Sequence, residues 1–98
     1  MINAGTYCRE YEANSVRADN KYKGKTLRIT GVINSISSNL VLLQRTSPEY
    51  GFVDIIFKST EIPKIANLEL RQTVTFIGIG AGKSGSRPVV KDAVLVVK

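Results

Sequence analysis

The most reactive-looking stretch of the chain is GIGAGKSGS, Gly78 to Ser86, where glycines surround Lys83 and Ser84. Such a run can free backbone N–H groups to cradle a phosphate, with the lysine and hydroxyl completing a nucleotide loop. That loop needs a glycine five positions before Gly82, and Ile77 stands there. A helix should also follow Lys83 and Ser84, yet Arg87 and Pro88 lead into an apolar strand-like run. The pattern argues against nucleotide hydrolysis. Gly80 to Arg87 reads instead as a flexible hairpin loop with Lys83 and Arg87 at its tip.

Other catalytic constellations are missing. The chain has no histidine and one cysteine, Cys8. This removes imidazole bases, Ser-His-Asp and Cys-His nucleophiles, the usual zinc ligands and an internal disulfide. The carboxylates Glu49, Asp54, Glu61, Glu69 and Asp92 are scattered, with no pair spaced for acid/base work. The expectation is a non-enzyme without cofactor or metal.

The remaining chemistry is charge. Fourteen lysines and arginines against eight acidic residues give a net charge of +6, consistent with a polyanionic partner. Arg17, Lys21, Lys23, Lys25 and Arg28 form a cluster offset only by Asp19. Such a cluster is either a phosphate-facing patch near Tyr22 or simply a solvated helix end and strand edge. Aromatic supply is thin: Tyr50 and Phe52, flanked by Arg45 and Lys58, are the candidates for base stacking. Asp54 on the same face would repel phosphate, and Phe52 with Ile56 could equally meet a protein.

These residues must be positioned by a small scaffold. Ninety-eight residues, 43% hydrophobic, suit one folded domain over 1–98. No apolar run is long enough to span a bilayer, and the first residues lack a signal-peptide pattern. The chain as given reads as cytoplasmic; an export signal removed upstream would make it periplasmic or lipid-anchored.

Tyr7, Tyr11, Ala18 and Tyr22 share one face of a helix over residues 6 to 21, with Thr6 as N-cap and Gly24 as terminator. Glu10 and Glu12 then lie toward its positive end. A first strand spans Lys25 to Ile36, with Gly31 marking a bulge or bend. Strands follow at Leu40 to Arg45 and Phe52 to Lys58, the latter with Val53, Ile55 and Phe57 inward. Ser59 to Leu68 reads as a short helix capped by Ser59 or Thr60, burying Ile62, Ile65 and Leu68. Strands at Leu70 to Ile79 and Pro88 to Lys98 complete the chain. The expected core is Leu27, Ile29, Val32, Leu42, Val53, Ile55, Phe57, Val74, Phe76 and Val94.

Five strands, an N-terminal helix and a short helix between strands three and four is the order of the oligonucleotide/oligosaccharide-binding (OB) fold, a mainly β Greek-key barrel. The residues N-x-x-x-A-D-x-K-Y-x-G-K, Asn14 to Lys25, leading into Leu27, Thr30, Gly31 and Val32, resemble the tRNA-anticodon-domain-like family of small bacterial OB-fold proteins. Val53 to Phe57, Leu70 to Gly78 and Val90 to Val94 resemble its later strands, so the similarity covers about residues 7 to 97. Leu70 and Arg71 stand where members often have Lys-Gly, and later cysteines common in the family are missing.

Members are often exported, lipid-anchored, or encoded on plasmids and prophages. The resemblance implies nucleic acid by analogy of fold only. Two functions follow as expectations. One is a module binding single-stranded DNA or RNA through Lys23, Lys25, Arg28, Arg45, Tyr50, Phe52, Lys58, Lys83 and Arg87. The other is a protein-interaction or inhibitor module acting on a protein partner.

Overall fold

The structure, a computed structural model, describes residues 2–44, 52–85 and 87–96. The connecting loop expected after Gln44, with Arg45 and Tyr50, lies outside the described residues. The chain opens with a short strand β1 (Ile2–Asn3) and helix α1 (Ala4–Ala13). Asn3, not Thr6, is the N-cap; its side chain accepts the Thr6 N–H at 2.7 Å.

The single helix expected over residues 6 to 21 is two helices. Asn14 adopts an extended conformation (φ −166°, ψ 102°) and its side chain accepts the Arg17 N–H at 3.1 Å, capping α2 (Ser15–Tyr22). Asparagine's carbonyl competes with helical main-chain bonding, which favours caps over helix interiors. Tyr7, Tyr11, Ala18 and Tyr22 are all buried, as their spacing predicts. Because α1 begins at Ala4, Glu10 lies in its second half and not near the positive end. It ties the helices together, accepting from Lys21 at 2.7 Å and from the Tyr22 hydroxyl.

The strands expected first to fifth are β2 (Thr26–Ile36), β3 (Leu40–Gln44), β4 (Phe52–Phe57), β5 (Thr73–Ser84) and β6 (Arg87–Leu95). Antiparallel ladders join β2 to β3, β3 to β4 and β5 to β6, while β4 and β6 run parallel. Pairing of β5 with β2, from Thr26↔Ile79 to Val32↔Thr73, closes a five-stranded barrel. The long β2 serves both halves of it. One edge takes β5; the other takes β1 at Ile29 and Thr30, then β3 from Val32 onward. This is the OB fold.

The register departs from expectation in places. The β2 irregularity falls between Ile33 and Ser35, so alternation runs unbroken through Gly31 and buries Ile33 while Val32 is half-buried. Gly31 is needed for close approach: a Cβ there would stand 2.9 Å from Ala4 Cβ and 3.1 Å from Leu43 Cβ, where α1 meets the barrel. In β3, apolar at every position from Leu40 to Leu43, composition cannot set the phase. Pairing with β4 turns Val41 and Leu43 inward and leaves Leu42 half-buried. In β6, Asp92 takes φ 51°, so Lys91 and Asp92 are both exposed, Ala93 and Leu95 are buried, and Val94 is half-buried. The β4 register is as expected, with Val53, Ile55 and Phe57 buried.

Between β4 and β5, a 3₁₀ turn (Ser59–Glu61) precedes a short helix α3 (Ile62–Ile65) that holds Pro63 in its first turn. Lys58 is the N-cap of the turn and no side chain caps it, unlike the expected Ser59 or Thr60. Ile65 is buried, Leu68 packs partly against the core, and Ile62 is 50% exposed. Arg71 adopts φ 69° before β5, which therefore starts at Thr73 and not Leu70.

Candidate nucleic-acid interface

The predicted hairpin loop from Gly80 to Arg87 is mostly strand. Lys83 pairs with Pro88 and Ser84 with Arg87, so only positions 85 and 86 intervene, with Gly85 at φ 62°. A two-residue connection with positive φ matches the right-handed twist of paired strands. Lys83 and Arg87, both exposed, are thus fixed on adjacent strands near a tight turn.

A second loop meets this hairpin. After α2, Lys23 turns extended (φ −65°, ψ 129°) and Gly24 takes φ 79°, a left-handed conformation that favours glycine. Gly24 N–H donates to Gly80 O at 2.8 Å, and Gly80 N–H donates to Lys25 O at 2.9 Å. A Cβ on Gly80 would stand 2.2 Å from Tyr22 O, so only glycine permits this approach. The loop carrying Lys23 and Lys25 is thereby clamped to β5. Lys23 reaches across Gly82, where a Cβ would lie 3.6 Å from its Cε. Lys83 follows at once in sequence, and Arg28 projects from the outer face of β2 opposite Ile77.

Lys23, Lys25, Arg28 and Lys83 are exposed and make no ion pair with a carboxylate among the described residues. Asp19, the acid nearest in sequence, accepts the Tyr11 hydroxyl at 2.8 Å. A shallow groove of about 340 Å³ lies beside this cluster, lined by Ile2, Thr6, Tyr22, Thr26, Leu27 and Arg28. Tyr22 is 7% exposed and mainly part of the core.

The outer face of β3 and β4 has a different character. Phe52, half-buried, lies opposite Gln44; Asp54 lies opposite Leu42; Ile56, 39% exposed, lies opposite Leu40. The Cys8 thiol donates to the Phe52 carbonyl at 3.3 Å, and the Tyr7 hydroxyl donates to Val89 O at 3.1 Å, holding α1 against β4 and β6. Lys58 is exposed just beyond β4. Arg87 reaches this face from β6, with its Nε 3.2 Å from Asp54 Oδ1. Burial pushes the Asp54 carboxyl above the ordinary range, and Arg87 partly offsets that.

The structure therefore divides the expected cations. Lys23, Lys25 and Lys83 lie around Gly80 and Gly82, Arg28 follows along β2 opposite Ile77, and Phe52, Lys58 and Arg87 belong to the β3–β4 side. Lys91, opposite Ile79 beside Arg28's row, adds an exposed cation that strand periodicity hides because of the slip at Asp92. Among the described residues, no three potential metal ligands cluster. No helix of the described chain is long and apolar enough to cross a membrane.

Residues 1–94 match the tRNA_anti-like family. The chain belongs to that family. No curated protein matches it in sequence. Among solved structures, a Klebsiella pneumoniae lipoprotein whose name suggests nucleic-acid binding is similar with a TM-score of 0.80 at 16% identity, covering 99% of this chain and 92% of its own. An OBody bound to hen egg-white lysozyme is similar with a TM-score of 0.58 at 14% identity, covering 80% of this chain and 85% of that one. Asparaginyl-tRNA synthetase from Pyrococcus horikoshii is similar with a TM-score of 0.51 at 19% identity over 78% of this chain and 20% of that one. At these identities the likeness concerns the fold. Within this tRNA_anti-like barrel, the clamp between Gly24 and Gly80 is what assembles the cations.

Proposed function

We propose that the chain is a non-catalytic module that binds single-stranded nucleic acid through phosphate contacts. The observation carrying this reading is the set of Lys23, Lys25, Arg28 and Lys83, exposed and unpaired among the described residues, with the loop of Lys23 and Lys25 held to β5 by the main-chain clamp at Gly80 and Arg28 beside it on β2. Cations tied to a neighbouring carboxylate must give it up before meeting a phosphate; these four need not, and each phosphate they neutralise releases counterions condensed on the strand. The nucleic-acid-binding role that the Klebsiella pneumoniae lipoprotein's name suggests points the same way. Phe52 lies apart on the β3–β4 side and Tyr22 is buried, so stacking adds little and sequence preference is weak.

Affinity for a labelled single strand should fall with salt at a slope of about −0.7 per phosphate contact, or roughly −2.8 for four. Replacing Lys23 and Lys83 together by Ala should flatten the slope by about 1.4 while leaving Tm unchanged. Absence of saturable binding at low salt would remove the nucleic-acid reading.

The rival reading is a protein partner on the β3–β4 face, favoured by the exposed Ile56 beside half-buried Phe52. The OBody, whose fold is similar, binds a protein, lysozyme. On that reading, Ile56→Asp abolishes partner binding and the lysine variants do not.

A further inference from the structure

Arg87, across the hairpin from Lys83 and outside the four-cation set, differs from those cations because a carboxylate already holds it. Asp54 lies in the middle of β4, 9% exposed, between Leu42 of β3 and Val89 of β6. Its Oδ1 makes no hydrogen bond among the described residues, although Arg87 Nε is 3.2 Å away as an ion-pair partner. Arg87 keeps 44% of its side chain exposed and stands beside the turn that joins it to Lys83's strand. One guanidinium therefore faces both a buried anion and the solvent from which a phosphate would come.

Among the described residues, the surroundings offer Asp54 little else. The described part of β3, Leu40 to Gln44, brings no ionisable side chain. From α1, Tyr7 and Cys8 face β4 and β6 but donate to the carbonyls of Val89 and Phe52. Tyr11 of α1 is committed to Asp19. On β6, Lys91 and Asp92 are exposed farther along, and Lys58 lies beyond the end of β4. A phosphate that draws Arg87 away would leave a buried carboxylate uncompensated, which is costly unless it takes up a proton.

We propose that Asp54 is a positioning residue: ionised, it withholds Arg87 from phosphate, and protonated, it releases Arg87 to the bound strand. This rests on the nucleic-acid reading and adds a condition to it. Binding that recruits Arg87 takes one proton from solvent onto the Asp54 carboxyl. The bound state then has the higher Asp54 pKa, so affinity rises as pH falls, by at most tenfold per pH unit for one proton. Burial already shifts this carboxyl in that direction.

The test measures binding of a short fluorescent oligodeoxythymidylate at about pH 7.5 and about pH 5.5, each at two salt concentrations. The proteins are the wild type, Asp54→Asn and the Asp54→Asn/Arg87→Ala double variant, with Tm recorded for each. The amide keeps the side-chain shape without the charge, and the double variant removes both partners, so neither leaves a buried lone charge.

Wild-type affinity should rise at the lower pH. Asp54→Asn should bind more tightly than wild type at the higher pH, with a salt slope steeper by about 0.7, and should lose most of the pH response. The double variant should return to the shallower slope. Binding by Asp54→Asn alone, with none by the wild type, also supports the latch. Saturable wild-type binding that is indifferent to pH and to Asp54→Asn overturns the latch and leaves the nucleic-acid reading standing. No binding by any of the proteins at either pH overturns both.

Discussion

At the scale of single residues, the buried hydroxyls define how the helix pair responds to alkali. Tyr7 and Tyr11 are almost wholly buried, with rings 5.3 Å apart edge-to-face. Burial first, then the neighbouring Asp19, pushes the Tyr11 phenol up to about 12. Burial likewise raises Tyr7, with Tyr11 adding to the effect. A phenol whose folded pKa exceeds its unfolded value near 10 contributes stability that is complete below that value. That contribution is lost as pH rises toward the folded pKa. Denaturant midpoints should therefore fall above about pH 10, and in the folded protein Tyr11→Phe should leave the phenolate absorbance at about pH 10 unchanged. A tyrosine lost from that titration would contradict the burial of Tyr11. Glu61 offers a second check: 5% exposed, it accepts the Leu95 N–H at 2.8 Å with Lys64 Nζ at 3.5 Å. Glu61→Ala should cost about 1–3 kcal/mol by orphaning that N–H, and Glu61→Gln less, measured by urea denaturation. The tyrosine spacing was legible in sequence because its partners lie within the same helical segment. Asp54 and Glu61 were not, because Arg87 and Leu95 reach them only through the β4–β6 crossover.

At the scale of elements, the junction between α2 and β5 depends on Gly80. Its two main-chain bonds to the loop of residues 22–25 fix where Lys23 and Lys25 emerge. Gly80→Ala forces a Cβ against the Tyr22 carbonyl, a backbone atom that cannot swing aside. Overpacking of this kind costs about 1–3 kcal/mol, and any relaxation must move the basic loop. The variant should lower the denaturant midpoint and also flatten the salt dependence of oligonucleotide binding. Gly85→Ala is the control. It meets nothing within 4 Å and suffers only from φ 62°, so stability should fall by about 1–2 kcal/mol with the slope retained. An unchanged salt slope in folded Gly80→Ala would detach the clamp from the interface. Here the sequence was partly readable. Gly24 announced a left-handed turn, but Gly80 and Gly82 looked like loop glycines: Gly80 is there for close approach to the end of a helix distant in sequence, and Gly82 for a left-handed φ of 82° inside a strand. The helix break at Asn14 was missed for the opposite reason: tyrosine periodicity continues across it and masks the cap.

At the scale of the whole molecule, helices and barrel should behave as one cooperative unit. The order of elements was readable because each strand is amphipathic or bounded by turn residues, and the helix before β5 interrupts the alternation. The fine phase of β3 and β6 was not, since an all-apolar run and the slip at Asp92 carry no period of their own, and that of β2 was obscured because Gly31, a close-approach glycine, resembles a bulge. What fixes that phase is closure. Phe76, fully buried, pairs with Ile29 across the β2–β5 seam and with Leu95 across β5–β6, so one ring packs where the barrel closes. The helices are joined to the same body by the Tyr7 hydroxyl on Val89 and by Ala4 against Gly31. Phe76→Ala should cost about 3–5 kcal/mol, a large part of the 5–15 kcal/mol typical of a folded protein. If closure and helix docking are coupled, near-ultraviolet circular dichroism, which reports the tyrosines of α1 and α2, and the infrared amide I band of paired β-strands, which reports the barrel, should melt together. Both midpoints should then shift equally in Phe76→Ala. Separate transitions, with the tyrosine signal surviving loss of the strands, would show that the helix pair folds without the barrel. The clamp at Gly80 would then hold the cations only while the barrel is closed, and their salt-dependent binding should disappear at the barrel's midpoint, not at that of the helices.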